Sequence, residues 1–231
     1  MKIVGHRGVR NSYTENTLKA IQKAIEQGVD AVECDVRLSK DKVPVICHNA
    51  NLKQIYGVDC LVNELSFNEL KKLRSQTNDT IPTLNEVFDL EFTKPIILDI
   101  KDHGSAKIIK KIVDEKKIKV NEWLVTTFLY DEAQKFKDLF PDLKIMLGSY
   151  SRPFSTIEKA SQIGAYGVTF NLINLNIFSY KKARQNNLEI FLYQNYLPWL
   201  LTKPWSVKWI KKFYPNIIIC TDQPDKILNV I

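Results

Sequence analysis

The stretch DAVECDVRLSKDKVPVICH, residues 30–48, alternates between two kinds of side chain. Successive residues of a strand point to opposite faces. As a strand, its first half puts Ala31, Glu33, Asp35 and Arg37 on one face and Val32, Cys34, Val36 and Leu38 on the other. The apolar face can pack beneath helices, and the opposite face carries two carboxylates toward the strand's C-terminal end. Lys40, Asp41 and Lys42 read as a turn, and residues 43–47 as a returning strand that presents His48. Taken alone, the pattern is that of any half-buried strand with a solvated polar face. Its surroundings give it another meaning.

On the N-terminal side, residues 2–5 read as a strand ending in His6-Arg7-Gly8. A helix is predicted over 13–27. Ser12 and Glu15 have capping-box spacing, Leu18, Ile21 and Ile25 form an apolar stripe, and Gly28 fits the position past the C-cap. On the other side, residues 49–80 break the rhythm, with Gly57, several Asn and a short helix opened by Ser66 and Glu69. They read as an insertion with too few apolar residues to fill a core of their own. Thr83 and Glu86 then open another helix. Strands are predicted at 95–100, 123–128, 144–149, 166–171, 189–195 and 216–221, with helices between them. Strands alternating with helices predict a parallel sheet covered by helices. Eight such units predict an α/β fold closed as a (β/α)8 TIM barrel, with the small insertion between the second strand and the second barrel helix. The expected organisation is a single domain over residues 1–231. No GxGxxG follows the first strand, which argues against a dinucleotide-binding fold.

The chain of 231 residues is long enough for one large domain. No apolar run is long enough to span a bilayer, so no transmembrane segment is expected, and the N-terminus has no secretory pattern. Cys34, Cys47, Cys60 and Cys220 lack CxxC spacing and read as reduced core or near-core thiols of a cytoplasmic protein. The net charge of +7 would favour anionic partners. Its lysines are spread over predicted helix faces, such as Lys71–Lys72, Lys110–Lys111 and Lys211–Lys212. With no zinc-finger spacing and no basic stripe interleaved with aromatics, nucleic acid is not expected as a partner.

In a βα barrel the active site lies at the C-terminal ends of the strands. There this sequence collects His6 and Arg7, Glu33 and Asp35, Asp99 and Lys101, Thr127, Asn171, Asn195 and Asp222. Glu33, Asp35 and Asp99 could share one divalent cation, and their hard oxygens suit Mg²⁺ or Ca²⁺. His6 and His48 both end strands near the acids, as a general acid–base pair would. His103 reads as a surface residue. Arg7 and Lys101 can hold a phosphate. Together these groups read as a phosphoryl site. Trp205, Trp209 and Phe213 stand at helical spacing and are expected to pack in the core. Trp199, beside Leu200 and Leu201, is a candidate apolar lip for peripheral lipid contact.

His6-Arg7-Gly8, Glu15-Asn16-Thr17, and residues 28–48 resemble the N-terminal signature of the glycerophosphodiester phosphodiesterase family. The resemblance continues through Leu52, residues 66–70, Ile81-Pro82-Thr83-Leu84 and Leu98-Asp99-Ile100-Lys101, and returns at Cys220-Thr221-Asp222. It implies a metal on Glu33, Asp35 and Asp99, acid–base catalysis by His6 and His48, and phosphate contacts from Arg7 and Lys101. The implied reaction is metal-dependent hydrolysis of a small-molecule glycerophosphodiester to glycerol 3-phosphate and an alcohol. The alternatives are lysophospholipase D-type hydrolysis of lysophospholipids and a non-catalytic phosphodiester-binding barrel. Asp99 stands where the family usually has Glu, and Asn49 where Asp is usual. The late strand end is Leu192-Tyr193-Gln194-Asn195 in place of Trp-Thr-Val-Asn. Phe128, Tyr193, Asn195 and Trp199 are the candidate substrate wall.

Overall fold

The alternation in residues 30–48 builds one wall of a closed barrel in the computed structural model, which describes residues 1–90, 94–193 and 203–228. One sheet contains β1 (Lys2–Gly5), β2 (Ala31–Leu38), β3 (Pro44–Ile46), β4 (Ile96–Ile100), β5 (Trp123–Thr127), β6 (Ile145–Gly148), β7 (Gly167–Phe170), β8 (Glu189–Leu192) and β9 (Ile218–Thr221). β3 pairs antiparallel with β2, while the other eight strands run parallel. β1 pairs with both β2 and β9, which closes the (β/α)8 TIM barrel.

The helices are α1 (Leu18–Glu26), α2 (Lys53–Tyr56), α3 (Phe67–Leu70), α4 (Leu84–Phe88), α5 (Ser105–Lys116), α6 (Tyr130–Leu139), α7 (Pro153–Gln162), α8 (Ile177–Gln185), α9 (Pro204–Phe213) and α10 (Pro224–Leu228). Two apolar layers follow from the period of two. Val32, Cys34, Val36, Leu98 and Ile100 face outward into the large core beneath the helices. Val4, Ala31, Ile97, Met146, Phe191, Ile218 and Cys220 form a separate inner cluster. The inner cluster fills the barrel below the acids, because Glu33, Asp35 and Asp99 continue the same inward face.

The insertion contributes α2 and α3, and Ser66 and Glu69 form the expected capping box. Its Leu52, Val62 and Leu70 share a satellite core with Val45 and Cys47 from the β3 hairpin. The helix predicted over 13–27 starts later, at Leu18, with Thr17 as its N-cap. Glu15 does not cap it, because its carboxylate is taken by Arg7 and Arg10. The aromatic stripe on α9 is a second correction. Val207 and Ile210 turn inward, whereas Trp205, Trp209 and Phe213 are 60%, 52% and 48% exposed. Apolar residues four apart define a helix face without saying which way it points. No helix among the described residues is long and apolar enough to cross a membrane.

Glu132 locks α6 to α5. Its buried carboxylate accepts the N–H groups of Gly104 (2.9 Å) and Ala106 (3.1 Å) at the start of α5 and pairs with Lys135 (2.8 Å). Burial pushes its pKa up, but the Gly104 N–H, Lys135 and the Ala106 N–H together outweigh burial and hold it below the ordinary value. Glu132→Ala should cost about 2–3 kcal/mol at neutral pH, since it strands buried donors. A folded-state pKa below the unfolded one stabilises above the ordinary glutamate range, and that stability is lost as pH falls through the folded value. The gap between wild type and variant should therefore shrink below about pH 4. Urea midpoints at pH 7 and pH 3 measure this, and a gap that holds constant would contradict it.

Candidate active site

After β1 the chain turns through two left-handed residues, Arg7 (φ 52°) and Gly8 (φ 84°). A Cβ on Gly8 would stand 2.4 Å from the backbone carbon of Ala20, so only glycine lets the turn lie against α1. The turn leaves His6 and Arg7 at the C-terminal end of the barrel, and the Arg7 N–H donates to Glu33 Oε2 at 2.9 Å. β2 supplies Glu33 and Asp35 on one inward face. β4 runs in register with it, which sets Asp99 beside Asp35. All three acids are buried, and one oxygen of each lies within 4.8 Å of the others.

Two cations enter this cluster. Lys101 Nζ bridges Asp35 Oδ1 (3.0 Å) and Asp99 Oδ2 (2.5 Å). Arg7 places Nε 3.2 Å from Asp35 Oδ2 and donates to Glu15 Oε1 at 2.8 Å. Asn16 grips Asp35 twice, donating to Oδ2 at 2.8 Å and accepting the Asp35 N–H at 3.1 Å. Burial raises the Asp35 pKa, but Lys101 and Arg7 outweigh it and hold the carboxyl well below the usual range. Glu33 has no Lys or Arg side-chain partner among the described residues. Burial, then Asp35 and Asp99, push it well above the ordinary value. Asp99 is pushed up to about 6, chiefly by burial, with Asp35 adding to it against the pull of Lys101. Its Oδ1 is buried without a hydrogen bond.

These signs describe a site short of positive charge. Arg7, Arg10 and Lys101 face Glu15, Asp35, Asp99 and Asp222 around the cavity, with Glu33 in the cluster, a formal net −2 with every acid ionised and both imidazoles neutral, a state the raised Glu33 and Asp99 resist. A dication removes that deficit, and the three carboxylates fit a hard, oxygen-seeking ion. His6, Glu33 and Cys220 form a second close group. There the buried Cys220 thiol is pushed far above its ordinary pKa by burial, which disfavours the thiolate a soft metal needs.

His6 Nδ1 lies 2.5 Å from Asp222 Oδ1, and its Nε2 lies 4.0 Å from Glu33 Oε2. Burial works to raise the Asp222 pKa, but the His6 hydrogen bond leads in holding it below the ordinary value. A carboxylate can only accept, so Nδ1 carries the proton and Nε2 keeps its lone pair. Burial lowers the His6 pKa although Asp222 opposes it. His48 Nδ1 lies 2.8 Å from Asn49 Oδ1. Burial pushes His48 down to about 4 against the pull of Asp35. Both imidazoles line one cavity of about 550 Å³, together with Arg7, Lys101, Asp35 and Asp99.

The cavity's other wall is aromatic. Phe128 stacks on Tyr150 (ring centroids 4.6 Å apart) and meets Tyr193 edge-on at 5.6 Å. A Cβ on Gly148 would stand 2.8 Å from the Phe128 ring, so the bare backbone there makes room for it. Phe128 and Tyr193 thus line the cavity, while Asn195 and Trp199 lie outside the described residues. His103 is exposed. Sequence reasoning assigned no role to Asn16, Tyr150 or Asp222. Asp222 was visible as a polar residue at a strand end and as part of the resemblance at Cys220-Thr221-Asp222, but its partner is 216 positions away.

Residues 6–226 match the Glycerophosphoryl diester phosphodiesterase family. A glycerophosphodiester phosphodiesterase of Caldanaerobacter subterraneus is 27% identical over 243 residues, covering 99% of this chain and 97% of that protein. A lysophospholipase D of Mus musculus is 35% identical over 122 residues, 47% of this chain and 38% of that protein. The fold is shared with an Oleispira antarctica phosphodiesterase solved in complex with the product sn-glycerol-3-phosphate. The TM-score is 0.89 at 20% identity, over all of this chain and 96% of that one.

Proposed function

This chain belongs to the glycerophosphodiester phosphodiesterase family, and from that premise we propose that it hydrolyses glycerophosphodiesters to glycerol 3-phosphate and an alcohol. The observation that carries this reading is the cavity on which two oriented imidazoles, the cations Arg7 and Lys101, and a carboxylate cluster short of positive charge converge. Glu33, Asp35 and Asp99 would hold one divalent cation, Mg²⁺ or Ca²⁺, whose charge would offset that of the phosphate and of the developing oxyanion. Arg7 and Lys101 fix the acids and extend positive charge toward a phosphate. Of His6 and His48, one takes the nucleophile's proton and the other protonates the leaving oxygen. Phe128 and Tyr193 bound the alcohol side, with Asn195 and Trp199 as further candidates on the same wall. We read the chain as one catalytic domain over residues 1–231 with an insertion at about 49–80, acting in the cytoplasm. The four free cysteines suit a reducing compartment.

A second reading, hydrolysis of lysophospholipids, is favoured by the similarity to the mouse lysophospholipase D. Incubation with glycerophosphocholine and with lysophosphatidylcholine, with and without chelator, separates the two. Cation-dependent release of glycerol 3-phosphate from the first is expected. Release of choline from the second alone would favour the lysolipid reading. No turnover of either by folded protein at any cation would leave a binding-only barrel.

A further inference from the structure

Large apolar side chains are exposed unevenly. Tyr150, Phe154, Ile173, Phe178 and Trp205 are all exposed, Phe178 at 72% and Ile173 at 66%. Tyr150, Phe154, Ile173 and Phe178 lie two to eight residues beyond the C-terminal ends of β6 and β7, and Trp205 is in the first turn of α9, the helix after β8; the segments after strands surround the mouth of a βα barrel. Tyr150 also lines the catalytic cavity, so the apolar rim is continuous with it. Trp209 and Phe213 continue the exposed aromatic surface down α9, away from the mouth, with rings 4.9 Å apart. Tyr180 and Tyr214, 5.4 Å apart, join α8 to the end of α9. A monomer rarely gathers so much apolar surface on one face without a partner for it.

Charge is just as uneven. Residues 150–213 contain nine Lys or Arg and only two acids, Glu158 and Glu189. Their net +7 equals the net charge of the whole chain, so the remaining residues balance. These residues make up one sector of the barrel, not the mouth alone: Lys159, Lys182, Arg184, Lys211 and Lys212 sit in the last turns of α7, α8 and α9, while Arg152 and Lys203 stand at the mouth ends of α7 and α9. Lys203, Lys208 and Lys212 are exposed on or beside α9, flanking Trp205 and Trp209.

We propose that this face of the barrel mouth is a docking surface for an anionic lipid bilayer. Aromatic rings settle at the headgroup level of a bilayer, and lysines reach from an apolar surface to lipid phosphates. Nucleic acid would use the charges but give Ile173 and Phe178 no apolar partner. A second copy of the chain would bring two strongly positive faces together. Docking would set the cavity mouth at the plane where phosphodiester headgroups lie. The binding itself does not depend on the phosphodiesterase reading, and its test needs no turnover.

The test is sedimentation of the full chain with vesicles of phosphatidylcholine alone, or of phosphatidylcholine mixed with phosphatidylglycerol, at low and high salt. Binding to the mixed vesicles that weakens with salt is expected. The double variant Phe178→Ser/Trp205→Ser keeps the charge and alters only exposed side chains. It should bind mixed vesicles about ten-fold more weakly, as should Lys203→Gln/Lys208→Gln. Circular dichroism melting checks that both variants fold. No binding to mixed vesicles would overturn the proposal. So would unchanged binding of mixed vesicles by Phe178→Ser/Trp205→Ser, which would mark a simple polyanion patch.

Discussion

His6→Ala should lower kcat/KM for glycerophosphodiester hydrolysis about 10²–10⁴-fold, the range a general acid or base supplies. The loss should fall on kcat, because the imidazole acts on a proton in flight and is not a main anchor for the phosphate. Thermal stability should change little. The ring is small, and the Asp222 carboxylate it leaves behind has Arg10 3.8 Å away. Asp222→Asn is the informative companion. An amide can present its N–H to Nδ1, which would move the imidazole proton to Nε2 and remove the lone pair there. The side chain stays in place and stays hydrogen-bonded, yet kcat should still fall steeply. Steady-state kinetics on both variants, with melting curves as control, decide this. A folded His6→Ala enzyme with near wild-type kcat would remove His6 from the chemistry.

The parts of this site legible in the sequence are those governed by short periods. Alternation along residues 31–38 gave the inward face of β2 and hence Glu33 and Asp35. The same rule applied to β4 gave Asp99 and Lys101. Capping boxes at Ser66 and Thr83 were readable because both partners lie three residues apart. The box at Ser12 and Glu15 had the same spacing and misled, since Arg7 and Arg10 compete for that carboxylate through the folded turn. The grip of Asn16 on Asp35 and of Asp222 on His6 could not be read either. Asn16 reaches Asp35 from the turn between β1 and α1, and Asp222 reaches His6 from the far end of the chain, so both pairs meet only once the barrel has folded. On α9, periodicity identified the aromatic stripe but not its outward direction, which depends on Val207 and Ile210 filling the core.

Adding Mg²⁺ or Ca²⁺ to chelated protein should raise Tm by about 5–10 °C when the ion is near a hundred-fold above its Kd. Chelation should at the same time abolish turnover. The argument rests on crowding. Three buried carboxylates share a 4.8 Å space, and among the described residues Lys101 and Arg7 are the Lys or Arg side chains paired with them. An ion that binds the folded site and not the unfolded chain relieves that repulsion and stabilises accordingly. Glu33→Gln separates stability from activity. It removes the acid that lacks a Lys or Arg partner while keeping an oxygen to accept the Arg7 N–H. The chelated variant should melt no lower than chelated wild type, because one repelling charge is gone. It should also lose most of the ion-induced rise and most of its activity. Asp99→Asn should behave less cleanly, since Lys101 would then lose one of its two partners. Calorimetry and kinetics on the same samples provide the check. An ion-induced rise as large in Glu33→Gln as in wild type would place the cation elsewhere. Turnover that survives thorough chelation would leave Lys101 and Arg7 to offset the phosphate's charge alone.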